Sequence, residues 1–415
     1  MLVAAACVGF NNPEGWAGPT VAADDLLVVS TDTGELSALD LVPESGPQCD
    51  NSTDDDEDGW VNEGCPRAGT KAERGRECDN DTSDDAVDDI PDDDKINDGC
   101  PAAVPLWTFP TGQEEPEIDL EAIYTTPPVI ADTVFLAGYS GEVFALNLED
   151  GSEKWRFDTD DNIIAGLAIT ETTVYVGTDE GLLYALNLET GLEEDNPNNP
   201  FDAGSGIWGT PLLVEGVIYV ASVNGKLYAL DAETLDPIWD APFEAGRGLI
   251  SDPVLADGTI LVGGIGRTLH AVDADTGRER WSLKADNWFW GKPLVLDGTV
   301  YAPNLDGRLY ALSLKDGTPV WDTPFEAEDP EPLRSSPIIA SDTLLIVDRE
   351  GNVYGLDPDS GTLSWSAPAA LEKTVLSNPI ADPPLLGVRV FISAQGGDLF
   401  RIDPTAGSFV KVVTP

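Results

Sequence analysis

The chain has one histidine and one methionine in 415 residues, and 22 Lys and Arg against 76 Asp and Glu. A single histidine removes His-rich metal sites and His-dependent catalytic triads from consideration. The shortage of basic residues leaves a formal net charge of −54. Such a surface repels phosphate backbones, which excludes sequence-general nucleic-acid binding. No apolar run reaches the roughly 18 residues that a membrane-spanning helix needs, and no segment carries a helical hydrophobic period. Cysteine is scarce as well, with four of the five residues between positions 49 and 100. An apolar fraction of 41% is nonetheless ordinary for a packed core and excludes wholesale disorder.

The negative charge is not confined to one segment. Residues 42–106 hold 20 acidic and 5 basic residues, a net of −15, so −39 belongs to the rest of the chain. An acidic surface of this kind keeps an extracellular protein soluble, and it also suits high salt, where carboxylates stay hydrated and screened. Against this background no general base, nucleophile or phosphate loop stands out, and no catalytic residue is assigned.

Internal repetition organises the remainder. GEVFALNLEDGSEKW, GKLYALDAETLDPIW, TLHAVDADTGRERW, GRLYALSLKDGTPVW and GNVYGLDPDSGTLSW end at Trp155, Trp239, Trp281, Trp321 and Trp365. Successive spacings are 84, 42, 40 and 44 residues, the first being two periods. GLLYALNLETG supplies the unit without a Trp, GELSALDL opens an earlier unit that closes at Trp107, and GDLFRIDPTAGSF is a degenerate last copy ending at Phe409. Each unit reads as four short strands of alternating apolar residues, separated by turns such as Asn224-Gly225, Asp257-Gly258 and Asp306-Gly307. Eight such units predict an all-β, eight-bladed β-propeller of four-stranded antiparallel blades over residues 15–41 and 102–415. Ring closure protects the sheet edges, and a monomer is expected. Six of the eleven Trp, from Trp107 to Trp365, take the blade-end position and read as core. His270 takes the slot of Tyr184, Tyr228, Tyr310 and Tyr354, and is expected to pack.

Ala271, Asp273, Thr276, Gly277 and Trp281 spell A-x-D-x-x-T-G-x-x-x-W. The pattern resembles the tryptophan-docking repeat of the pyrroloquinoline-quinone-type propellers. The resemblance implies that each Trp packs between neighbouring blades and that the repeat Gly permits a tight turn. The third unit lacks the Trp and the eighth has Phe409 in its place.

Between the third and fourth strands of the first unit lies a segment of different character, residues 42–101. Two modules, each opening C-D-N and closing on Gly-Cys-Pro, run from Cys49 to Cys65 and from Cys78 to Cys100. Carboxylates at alternating positions around a Gly turn are the oxygen-rich chemistry that Ca²⁺ requires. Asp54, Asp56, Asp58, Trp60 through its carbonyl, Asn62 and Glu63 are the candidate ligands of the first module; Asp89, Asp93, Asn97 and Asp98 are those of the second. The segment resembles the thrombospondin type 3 calcium repeat. A carboxylate is missing where Cys65 stands, so it is not an EF-hand. Cys49–Cys65 with Cys78–Cys100 is the simplest of three connectivities, and it implies an oxidising, extracytoplasmic compartment. With few apolar residues, the insert is expected to need metal and disulfides to fold.

The remaining cysteine, Cys7, follows MLVAAA. Small residues before an early Cys resemble the lipobox of bacterial lipoproteins, which implies that residues 1–14 are a signal remnant and linker. Lipidation of Cys7 would attach an otherwise soluble propeller to a membrane, with a periplasmic or cell-surface location.

Three functional readings follow. The first is a non-catalytic scaffold, because the chain resembles the BamB family of outer-membrane assembly lipoproteins, which bind envelope proteins. The second is a surface module for glycans or peptides. The third is a quinoprotein dehydrogenase, but those enzymes carry adjacent disulfide-bonded cysteines beside the quinone; this chain has no Cys-Cys pair, and no bound quinone is expected. For a binding face, the units align on Pro19, Pro127, Pro211, Pro253, Pro293, Pro337 and Pro379 of the first strand. Three positions earlier stand Trp16, Tyr124, Trp208, Ile250, Trp290, Arg334 and Leu376, expected to face the central channel with help from Trp288 and Lys292.

Calorimetric titration is expected to show saturable Ca²⁺ binding, with one component removed by Asp54→Asn together with Asp56→Asn. No binding heat in the parent chain refutes the metal reading.

Overall fold

The computed structural model describes residues 17–23, 26–30, 34–41, 103–110, 118, 120–382 and 389–412. The five cysteines, the candidate calcium ligands and Trp16 lie outside the described residues. All regular structure described is strand. Thirty-two strands form eight sheets, each of four strands consecutive in sequence and antiparallel to their neighbours. Blades 1 to 8 begin at Thr20, Val129, Ala168, Leu212, Val254, Leu294, Ile338 and Ile380. The first strands of neighbouring blades approach one another around the axis, which makes them innermost. Blade 1 contributes all four of its own strands, so no strand is exchanged to close the ring. Its third strand, Leu36–Leu41, pairs with its outermost, Ala103–Phe109.

The second strands, such as Thr173–Gly177 and Val217–Ala221, are buried at consecutive positions. Each blade is sandwiched between two others, so both faces of its central strands are covered and the usual alternation is lost. The core is accordingly divided into eight apolar clusters, one per seam. The closing seam joins Leu27, Val29 and Leu39 of blade 1 to Phe391, Leu399 and Val412 of blade 8.

One contact recurs in the seams. The Trp281 indole N–H donates to the Leu314 carbonyl at 2.9 Å, and its ring lies against Gly317. Gly317 has φ +70°, and a Cβ there would come within 2.7 Å of indole carbons. Only glycine tolerates both conditions. Trp107, Trp155, Trp239, Trp321 and Trp365 repeat the arrangement on Gly151, Gly191, Gly277, Gly361 and Gly407, with N–H···O distances of 2.8 to 3.1 Å.

The seam between blades 3 and 4 is built differently. Blade 3 has no Trp, and blade 4 has Leu235 where the other turns have Gly. Leu235 keeps the positive φ, 56°, and is fully buried. The Ala232 carbonyl, which matches the indole acceptors of other blades, receives the Tyr175 hydroxyl at 2.5 Å. Leucine thus fills the volume an indole would occupy, and a phenol replaces its hydrogen bond. His270 is 8% exposed, lies edge-on to Phe243 and has Nδ1 2.9 Å from Glu279 Oε2. The equivalent Tyr184, Tyr228 and Tyr354 lie edge-on to Phe157, Phe201 and Phe325.

The outer strand departs from the expected pattern in blades 4, 6 and 7. It is not the stretch around Trp239 but Phe243–Glu244, with Phe325–Glu326 and Ala369–Ala370 in the other two blades. In these blades Phe243, Phe325 and Ala369, four residues after the Trp, pair with the third strand, where blades 1, 2 and 5 use Phe109, Phe157 and Leu283, two residues after it. The two extra residues break the outer strand between the Trp and its last pair. Blades 2 and 5, without the extra residues, keep six-residue outer strands, Glu153–Asp158 and Glu279–Lys284.

Gly317→Leu is expected to destabilise the fold by about 3 kcal/mol, from side-chain strain at positive φ and overpacking. In a Trp281→Ala background the added cost is expected to fall to about half, because the leucine then has the space it has at position 235. Urea unfolding of the four-member cycle measures this, and equal costs in both backgrounds refute it.

Candidate functional site at the channel mouth

Each blade is entered through a short extended segment that ends, in all but blade 3, at a proline before the first strand. Residues one and three positions before the proline share a side in an extended chain. In the assembled ring that side faces the axis. One cavity of about 190 Å³ is lined by Tyr124, Trp208, Ile250, Trp290, Arg334 and Leu376 from the outer of these positions. Thr126, Thr210, Asp252, Lys292, Ser336 and Asn378 line it from the inner one.

The inner ring staples adjacent blades. The Thr210 amide donates to Asp252 Oδ1 at 2.7 Å, the Lys292 amide to Ser336 Oγ at 3.0 Å, and the Ser336 amide to Asn378 Oδ1 at 2.8 Å. In each case the side chain belongs to the next blade. The outer ring carries the aromatic surface. Trp208 and Trp290 reach past Ile250 to within 6.3 Å of one another, centroid to centroid, at 48°. Trp208 Nε1 donates to Asp179 Oδ1 at 2.5 Å, which holds its ring. The Arg334 guanidinium lies 4.4 Å from the Trp290 ring centre, a cation–π contact.

Burial pushes the Asp252 carboxyl above its ordinary value; Lys292 and the hydrogen bonds from Thr210 act against that rise. The cavity therefore has mixed character, with aromatic walls, two cations from neighbouring blades and one disfavoured carboxylate. A void near 150 Å³ accepts a single benzene-sized group, so this one admits one side chain or a small ligand.

Two features depart from the sequence reading. Trp288 does not line the cavity. Its carbonyl accepts the Leu305 amide at 3.0 Å and its own amide is taken by Asn287 Oδ1, so it is held against the hairpin turn of blade 6. Conversely, Ile164 and Gly166 of blade 3 do line it. Blade 3 has Leu167 where the others have proline, so alignment on proline passed over them; counting one repeat back from Trp208 finds them. Trp16 lies outside the described residues, and Gly18 represents blade 1 in the lining. Among the described residues no group of three or more His, Cys, Asp or Glu is placed to hold a metal ion.

Asp252→Asn is expected to stabilise the fold at pH 7 by about 1 kcal/mol, since Asn keeps the acceptor for Thr210 and removes a charge that burial disfavours. The folded chain holds the Asp252 proton more tightly than the unfolded chain does. Ionisation therefore costs stability as pH rises from the ordinary carboxylate range through the raised folded value, and the cost is constant above it. The advantage of the Asn variant is expected to vanish towards pH 3.8, as thermal melts across pH measure. A gain that persists unchanged at that pH refutes the assignment.

Known proteins place this architecture. A family model described as outer membrane protein assembly factor BamB matches residues 105–194, 140–242 and 236–411. The crystal structure of BamB from Moraxella catarrhalis is similar at a TM-score of 0.57 and 19% identity, over 69% of this chain and 87% of that one. The computationally designed Ika8 protein is similar at a TM-score of 0.56 and 13% identity, over 69% and 88%. Both show the shared fold. No curated protein matches the chain at a significant level. Matched across all blades after the first, the chain belongs to the BamB family of PQQ-like repeat propellers.

Proposed function

We propose that the chain is a non-catalytic, protein-binding scaffold of the cell envelope with a BamB-like role in outer-membrane assembly. The observation that carries this reading is the family match spanning residues 105–411 on a closed eight-bladed ring. The size of the channel favours it over a quinoprotein dehydrogenase. A cavity of about 190 Å³ falls below the roughly 300–1,000 Å³ of ordinary small-molecule and cofactor sites. In this reading Trp208, Trp290 and Tyr124 act as anchoring surface, and one side chain of a partner enters between them. Lipidation at Cys7 would hold the ring at a membrane, and Ca²⁺ in the 42–101 segment would stiffen the rim of blade 1. Neither requires a catalytic group.

Pull-down from native membranes with the full chain, with and without chelator, tests the proposal. Recovery of barrel-assembly components, reduced several-fold by Trp208→Ala with Trp290→Ala in a folded variant, is the expected result. Recovery of glycans or filament proteins instead, or quinone absorbance in the purified protein, overturns it.

A further inference from the structure

The cations of this acidic chain are unevenly placed. Residues 247–292, which make up blade 5 and its flanking connections, hold six Lys and Arg and six Asp and Glu, a net of zero in a chain of −54. The antiparallel order of each blade sends the hairpin between its second and third strands, and the connection to the next blade, to one end of the ring. That end also carries the channel mouth. Lys226 begins the third strand of blade 4, Arg247 lies in the connection to blade 5, Arg267 precedes the third strand of blade 5, and Lys284 ends its outer strand. All four therefore sit at the channel end, and Lys292 and Arg334 lie in the cavity itself.

These groups are neighbours in space. A Cβ at Gly225 would meet the Arg247 carbonyl at 2.7 Å, and one at Gly266 would meet the Arg247 Cβ at 2.9 Å. Arg247 thus bridges the turns that lead into Lys226 and Arg267. The Ala285 amide donates to the Arg267 carbonyl at 2.8 Å, which sets Lys284 beside it. Arg247, Arg267 and Lys284 are exposed, and among the described residues none of them forms a salt bridge. At the opposite end, by contrast, Arg280 is held by Asp273 at 2.7 Å and Lys154 by Asp132 at 2.9 Å. Of the carboxylates at the channel end of this sector, Glu244 lies across from Lys226, Asp286 is engaged by Arg308, and Asp252 shares the cavity with Lys292, which acts on its charge.

We propose that this sector is a docking track for an acidic polypeptide segment, running over Arg247, Arg267 and Lys284 towards Lys292 and Arg334 at the channel mouth. At 0.1 M salt the screening length is about 10 Å, so a bound carboxylate responds to these cations more than to the distant acidic surface. A narrow chain follows the sector. An extended anionic surface such as a membrane would also meet the acidic rim on either side and be repelled. The track gives the scaffold proposed above its partner-binding face and rests on that reading.

Fluorescence anisotropy of a dye-labelled deca-glutamate with the full chain at 0.1 M NaCl tests it. Saturable binding is expected, weakened about tenfold or more by Arg247→Glu with Arg267→Glu, and weakened less, in the same order, by Arg247→Gln with Arg267→Gln should the reversal fail to fold. Arg278→Glu, on the opposite end, is expected to change affinity less than threefold. No binding to the parent chain, or equal losses from both sites, overturns the track. So does binding to phosphatidylglycerol vesicles that is sensitive to the same reversal while the peptide fails to bind. Unchanged recovery of barrel-assembly components by the reversed variant overturns the track alone and leaves the scaffold reading standing.

Discussion

An indole lying on the glycine turn of the next blade is the contact on which the ring depends. A single four-stranded blade cannot cover both faces of its central strands. Its apolar surface is buried only when a neighbour arrives in register, and the Trp–Gly contact sets that register through a hydrogen bond and a ring-to-backbone fit at once. Six seams use it in one form, from Trp107 on Gly151 to Trp365 on Gly407. The seam between blades 3 and 4 shows what is constrained, which is the pair and not the residue. Leu235 and Tyr175 supply together the volume and the hydrogen bond that one Trp supplies elsewhere.

That rigidity shapes the channel mouth. Because the blades are locked, the connections between them are locked too. Residues one position before the proline serve as staples between blades, while those three positions before it present aromatic and cationic groups to the axis. The mouth is consequently narrow, and larger contacts have to be made on the surrounding face. The charge of the chain matters there. Acidic turns crowd the far end of the ring, where Asp273 and Asp132 also take up nearby cations, whereas blade 5 is electrically balanced and leaves Arg247, Arg267 and Lys284 exposed beside the mouth.

Much of this was legible in one dimension because the repeat is local. A period of about 42 residues, an Asp-Gly or Asn-Gly turn at fixed offsets and a Trp at six of the eight blade ends are all short-range signals, and they identify eight blades without reference to any distant contact. The proline before seven of the eight first strands was legible for the same reason, and it led to the lining residues from Tyr124 to Leu376. Where a marker is missing, the reading failed. Leu167 replaces the proline in blade 3, so Ile164 and Gly166 were passed over. Trp288, expected to help line the channel, is instead held by its backbone against the turn of blade 6. The shortened outer strands follow from two extra residues after Trp239, Trp321 and Trp365, which only the pairing of Phe243, Phe325 and Ala369 with the third strands reveals.

The sequence by itself determined the blade and its number of copies, because strand alternation, turn chemistry and Trp spacing act within about one repeat. Only the tertiary structure decided what the eight copies do together. It brings residues some 40 positions apart into one ring, so that Trp208 meets Trp290, Arg334 lies on Trp290 and Asp252 becomes a carboxylate that burial disfavours. It also sorts the cations by end of the ring. That sorting follows from strand direction and ring closure, and neither is visible in the order of charges along the chain.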